Sequence, residues 1–199
     1  MKHADTFTAE FVADRLRIQD LVCRWYRAVD RLDFEAMRDV FHPDATDNHN
    51  HFSGDVNGLL EWIRGRHRSI THSMHMVGNM VIEFASAEQA LCESYVWCTQ
   101  RYPAGSTDAL VALTGGAHGG EGQGMDLMAC SRYVDRMEKR AGEWRIARRT
   151  VITDWKDIQP FQSGGPAPRP HWNIGRHDMN DPLYRERSEM GLPGFHAQG

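Results

Sequence analysis

MDLMACSRYVDRMEKRAGEWRIARRTVITDW, residues 125–155, decides the fold class. Polar and apolar side chains alternate on both sides of KRAGE, and a glycine sits where the chain has to reverse. A period of two marks strands, and a short Gly-containing link between two such runs marks a hairpin. The stretch therefore predicts two long strands, 125–140 and 143–155. HMVGNMVIEF (75–84) is a third: Met76, Met80, Ile82 and Phe84 alternate with His75, Val77, Asn79 and Val81. ALCESYVWCTQRY (90–102), rich in aromatic and branched residues, is a fourth.

Upstream the period changes. Over residues 8–30, Phe11, Leu16, Ile18, Leu21, Val22, Trp25, Tyr26 and Val29 recur every three or four positions, which predicts a helix with Thr8 as its N-cap. DFEAMRDVF (33–41) predicts a second, capped by Asp33 and stopped by His42-Pro43-Asp44. Residues 44–55 are turn-rich, with room for a short strand, and VNGLLEWIRGRHRSI (56–70) predicts a third helix. Helices first and strands after them point to an α+β domain, a curved antiparallel sheet wrapped around three N-terminal helices. Such a concave sheet, closed at one end by helices, leaves a pocket.

The chain has 199 residues, enough for one domain with a real core. Its formal charge of −4, without a basic stripe, argues against nucleic acid or a membrane surface as partner. No run approaches the ~20 apolar residues of a membrane span. MKHADTFTAE shows no apolar signal region, so a cytoplasmic location is expected. Cys23, Cys92, Cys98 and Cys130 are scattered and predict reduced core thiols. Beyond Trp155 the chain becomes rich in Pro, Gly, His and Arg. The expectation is a domain over 1–157 and an extended tail over 158–199, packed on the domain or a neighbouring subunit and pinned by Trp172 and Tyr184.

Several residues can carry chemistry. Asp30 interrupts the apolar face of the first helix. It is either a solvated acid near Arg27 and Arg31 or a carboxylate turned into a pocket. His75 suits proton abstraction, but it shares a strand face with Asn79 and lies opposite Met76 and Ile82. Of Arg148 and Arg149 at most one points inward, where it could hold a developing anion or pair across strands. HPDATDNHNHF offers His42, Asp44, Asp47, His49 and His51, metal-binding types without a metal-binding spacing, and reads as a polar turn. TGGAHGGEGQG lacks the features of a phosphate loop and reads as a lid or hairpin tip. No G-x-S-x-G nucleophile motif occurs.

IQDLVCRWYRAVDRLDFEAMRDVFHPDA, HSMHMVGNMVIEF and SRYVDRMEKRAGEWRIARRTVITDW, in that order, resemble the SnoaL-like branch of the nuclear-transport-factor-2-like superfamily over about residues 8–157. The resemblance implies a cone-shaped α+β barrel. It implies kinship with dehydratases, a dehydrochlorinase, cyclases and an isomerase, and also with non-catalytic binding modules. Dehydratases of this kind use a His–Asp dyad, and the matching positions are Asp30 and His75. Arg149 matches a final-strand arginine, and Tyr26 lies on the helix face that supplies polar pocket groups.

The resulting expectation is a cofactor-free lyase, a dehydratase or a deformylating C–C lyase. His75 is the base, Asp30 orients it, and Tyr26 or Arg149 assists the leaving group. Trp25, Met76, Asn79, Trp97 and Met128 would line a site for a hydrophobic aromatic or polycyclic substrate. No metal is expected, and assembly as a homodimer or homotrimer is. Rival readings are a ligand-binding or dimerising module, and an isomerase or cyclase with the same base.

Overall fold

The structure, a computed structural model, describes residues 7–106, 109, 111, 112, 123–161 and 169–192. The elements in chain order are α1 (Ala9–Arg31), α2 (Phe34–Asp39), β1 (Phe41–Asn48), β2 (Ser53–Asp55), α3 (Val56–His67), β3 (His72–Phe84), β4 (Gln89–Tyr102), β5 (Gly124–Arg140), β6 (Glu143–Phe161) and α4 (Pro182–Glu189). The six strands form one curved sheet in the order β2-β1-β6-β5-β4-β3. Its pairs are antiparallel except β1 with β6, which run parallel. The fold is the mixed α+β cone that the sequence suggests.

Local chemistry explains the frame. Thr8 accepts a bond from the Phe11 N–H, and Asp33 accepts one from Ala36, so both caps satisfy helix-end donors. The link between β5 and β6 is Ala141–Gly142, both at positive φ (52° and 87°). A two-residue turn of that hand matches the twist of the strands it joins. Ile18, Val22 and Trp25 of α1 and Leu59 and Ile63 of α3 pack against Ile82, Val96, Tyr133 and Ile146 on the concave face.

One irregularity in β3 decides where the site goes. Gly78 pairs with Tyr95 and Met80 with Ser94, which leaves Asn79 as an extra residue without a partner in the ladder. Such a bulge switches the inward phase of the strand. Ser73 and His75 before it and Ile82 and Phe84 after it all turn to the concave side. Strict alternation puts His75 opposite Ile82; the structure corrects this.

Other boundaries also move. The chain does not stop at His42-Pro43-Asp44 but runs through it as β1. β6 extends to Phe161, still paired with Gly124, past the expected domain limit at 157. Farther along, Tyr184 donates to Asp33 at 3.3 Å and Arg31 reaches Asp181 at 3.1 Å. Trp172, expected as a pin, is exposed. All four cysteines are free thiols, but Cys23 is exposed rather than core. The Gly-rich loop expectation falls mainly on residues 113–122, outside the described residues. Among the described residues no helix is long and apolar enough to cross a membrane.

Candidate active site

Asp30 is the penultimate residue of α1 and is buried. The carbonyls at a helix C-terminus disfavour a carboxylate there. Three donors from β3 offset that: the His75 N–H at 2.8 Å, the Ser73 hydroxyl at 3.2 Å and the His75 ring Nδ1 at 2.7 Å. An ionised carboxylate only accepts, so Nδ1 carries the hydrogen and the lone pair of the neutral ring sits on Nε2. Gln100 donates to Ser73 and accepts from Arg66, which ties the pair back to α3.

The His75 ring meets a cavity of about 110 Å³. Trp25, Val29, Trp62, Val96 and Leu127 give it apolar walls, and His49, His67, Cys98 and Tyr133 add polar atoms. Cys98 stands directly across the β3–β4 pair from His75. Burial disfavours the charged ring, but the facing Cys98 sulfur and the Asp30 carboxylate outweigh it and raise His75 to about 10.

A second carboxylate–histidine pair lines the same cavity. His49 Nδ1 lies 2.7 Å from Asp47 Oδ1, and its Nε2 lies 3.1 Å from the Tyr133 hydroxyl. Burial pushes the Tyr133 phenol well above its ordinary value, so it keeps its proton. A legible signal existed for this group. Asp47 and His49 are two apart, the spacing that shares a strand face, in a segment whose composition suggests a turn.

The structure brings together Asp30, His75 and Trp25, with Tyr26 packed behind the His75 ring. Val96 and Cys98 face the cavity, so Trp97 between them points outward and packs edge-on against Trp155 at 6.0 Å. Leu127 and Ala129 line the cavity, which turns Met128 away for the same reason. Met76 and Asn79 belong to an outer groove and are exposed. Those four are corrected from cavity wall to outer face.

Tyr26 is buried with its hydroxyl 3.4 Å from Ser94, wedged between the rings of His75 and Tyr133, and it forms no cavity wall. Arg149 does turn inward and Arg148 outward. But Asp135 lies opposite Arg149 in the ladder and takes Nε and Nη2, both at 2.8 Å. Trp25, Phe41 and Tyr133 surround the guanidinium. Neither Arg149 nor Tyr26 lines the cavity directly; both pack against Tyr133, which does.

Solved structures share this fold. A hexachlorocyclohexane dehydrochlorinase (LinA), type 2, aligns with a TM-score of 0.61 at 19% identity, covering 82% of this chain and 98% of its own. The type 3 enzyme from Novosphingobium barchaimii aligns with a TM-score of 0.62 at 18% identity, covering 80% and 98%. A "Putative Scytalone Dehydratase" from Novosphingobium aromaticivorans aligns with a TM-score of 0.60 at 18% identity, covering 81% and 98%. A search of curated proteins found no match. Residues 10–150 match the SnoaL-like domain, and the chain belongs to that family.

Proposed function

We propose that the protein is a cofactor-independent lyase acting on a compact aromatic substrate by dehydration or a related elimination. The observation that carries this reading is the His75 ring, held by Asp30 at 2.7 Å and presented to an apolar cavity. A proton passes from substrate carbon to Nε2, Asp30 stabilises the imidazolium, and the electron pair expels the leaving group. In the C–C cleaving variant the proton comes from a hydroxymethyl O–H, the new C=O leaves as formaldehyde as the C–C bond breaks, and the pair from that bond expels the leaving group. Base catalysis of this kind contributes ~100- to 10,000-fold, with the phenol of Tyr133 available to charge developing on oxygen. A cavity of about 110 Å³ is near the ~150 Å³ that accepts benzene in an engineered core. That volume suits a single ring.

The test is incubation of the protein in D2O with propiophenone and 3-hydroxy-1-phenylpropan-1-one. Exchange of the α-hydrogens of the first, and loss of water from the second, are expected and should vanish in His75→Gln. Binding without exchange or product overturns the lyase. The raised value of His75 favours one second reading, a carrier whose charged ring holds an aromatic anion. Benzoate affinity lost in His75→Gln, with no turnover by the wild type, selects the carrier. An isomerase is told apart by a product of unchanged mass.

We further propose self-association through the outer sheet face, where Met76, Tyr95, Trp97 and Trp155 are exposed together. Sedimentation should give a dimer or trimer that Trp97→Glu weakens. A monomer at all concentrations overturns it.

A further inference from the structure

His67, another histidine of the cavity wall, is wired to the C-terminal segment. The His177 Nδ1 lies 2.8 Å from the main-chain carbonyl oxygen of Asp30, and its Nε2 lies 2.9 Å from His67 Nδ1. The two rings are within 29° of parallel with centroids 5.1 Å apart, as an in-plane N–H···N bond requires. A carbonyl oxygen only accepts. His177 Nδ1 therefore carries the hydrogen, its Nε2 presents a lone pair, and His67 Nδ1 donates to it. For a neutral ring this leaves the lone pair of His67 on Nε2. Burial pushes both rings below the ordinary histidine value, His67 furthest, with Arg66 and His177 adding to the effect there. His67 is 4% exposed. Its Nε2 has no hydrogen-bond partner among the described residues, and His67 lines the cavity.

The segment that brings His177 in is firmly held. The carboxylate of Asp181 takes the Arg176 N–H at 2.8 Å, the Leu183 N–H at 3.1 Å and the Arg31 guanidinium at 3.1 Å. Asp30 is thus used twice: its side chain orients His75, and its carbonyl fixes the tautomer of His177.

We propose that the segment carrying His177 fixes His67 as an obligate hydrogen-bond acceptor in the cavity, selecting aromatic ligands with a free hydroxyl over ligands of the same size without one. This deepens the lyase reading by naming a substrate class, and rests on that reading's assignment of the cavity as an aromatic site. His67 is a specificity residue and His177 a positioning residue. A buried acceptor left unpaired by the wrong ligand is what discriminates.

The experiment uses the full chain, with histidine 15N NMR to read each tautomer and with phenol and toluene as probes of equal size. In the wild type, His67 should be protonated at Nδ1 and bare at Nε2, and phenol should shift its resonance while binding ~10-fold more tightly than toluene, the factor that 1.4 kcal/mol represents. His177→Ala should release the tautomer and erase the preference. His177→Gln should restore both, because its amide can donate to the Asp30 carbonyl and accept from His67. His67→Phe should favour toluene.

A His67 protonated at Nε2, or a tautomer unchanged in His177→Ala, overturns the proposal. Equal binding of the two probes to the wild type overturns the ligand class, and α-hydrogen exchange by His75 would then still leave the lyase reading intact. No cavity response to either probe removes both the ligand class and the aromatic site it rests on.

Discussion

Two buried acid–base pairs sit on the concave face, and they end differently. Asp135–Arg149 is fully buried, with two parallel bonds and three aromatic rings around the cation. Asp30–His75 is nearly as buried; one ring nitrogen binds Asp30, and the rest of the ring meets the Cys98 sulfur at the cavity wall. Burial, charge and an inward orientation are common to both. What separates a brace from a candidate base is the cavity: His75 lines one, whereas the unpaired Nη1 of Arg149 is enclosed.

The largest expected effect tests the brace. Arg149→Ala leaves the Asp135 carboxylate buried without its cation, which costs ~3–5 kcal/mol. Chemical denaturation should show that loss, and Asp135→Leu added to Arg149→Met should recover much of it, since a buried ion pair can be replaced by apolar packing of similar volume. A loss below ~1 kcal/mol for Arg149→Ala would erase the contrast. The next effect belongs to the open pair. At pH 9.5, where the charged ring adds least to stability, His75→Gln should keep the unfolding free energy within ~1 kcal/mol of the wild type while turnover of the aryl β-hydroxyketone falls ~100- to 10,000-fold. A variant equally damaged in stability would make His75 a brace as well.

Sequence periodicity carried the frame because each element obeys one period: three- and four-residue spacing in α1, and alternation in β5 and β6. It placed Asp30 and His75 as candidates through the order of their motifs. It misplaced what depends on an interruption of the period. The bulge at Asn79 adds one residue, and its one local signal is Gly78, since a glycine inside a strand often marks a bulge. Likewise Arg149 and Asp135 are fourteen residues apart, and their mutual consumption appears only when the hairpin register is known. Met76, Trp97 and Met128 looked like pocket residues because apolar side chains suit either face of a sheet, and alternation does not say which face is concave. His177 lay in a segment whose composition suggested a loose tail, yet its contacts with Asp30 and His67 need only one ordered turn around Asp181.

The pair also makes a pH prediction of definite sign. His75 rises from 6.5 in the unfolded chain to about 10 in the fold. A raised value means that the group's stabilisation is complete below pH 6.5 and is lost as pH climbs through 10. The difference in melting temperature between wild type and His75→Gln should therefore shrink from pH 6 to pH 9.5. Turnover should move the other way over that window, since the neutral ring is the base. Stability and activity rising together would break the assignment of both to His75.

The smallest effect separates two tyrosines that share a ring contact of 5.4 Å. Tyr26 spends its hydroxyl on Ser94 at 3.4 Å, the long end of hydrogen-bond range. Tyr26→Phe keeps the ring wedged between His75 and Tyr133 and loses only that bond, for ~0.5–1 kcal/mol and a change of a few-fold in turnover. Tyr133→Phe removes the phenol of a cavity residue held by His49, and should lower turnover several-fold further at similar cost in stability. Measured side by side on one substrate, the pair has a plain failure: a large loss for Tyr26→Phe with none for Tyr133→Phe. That result would mean the substrate reaches past Tyr133 into the space α1 now fills.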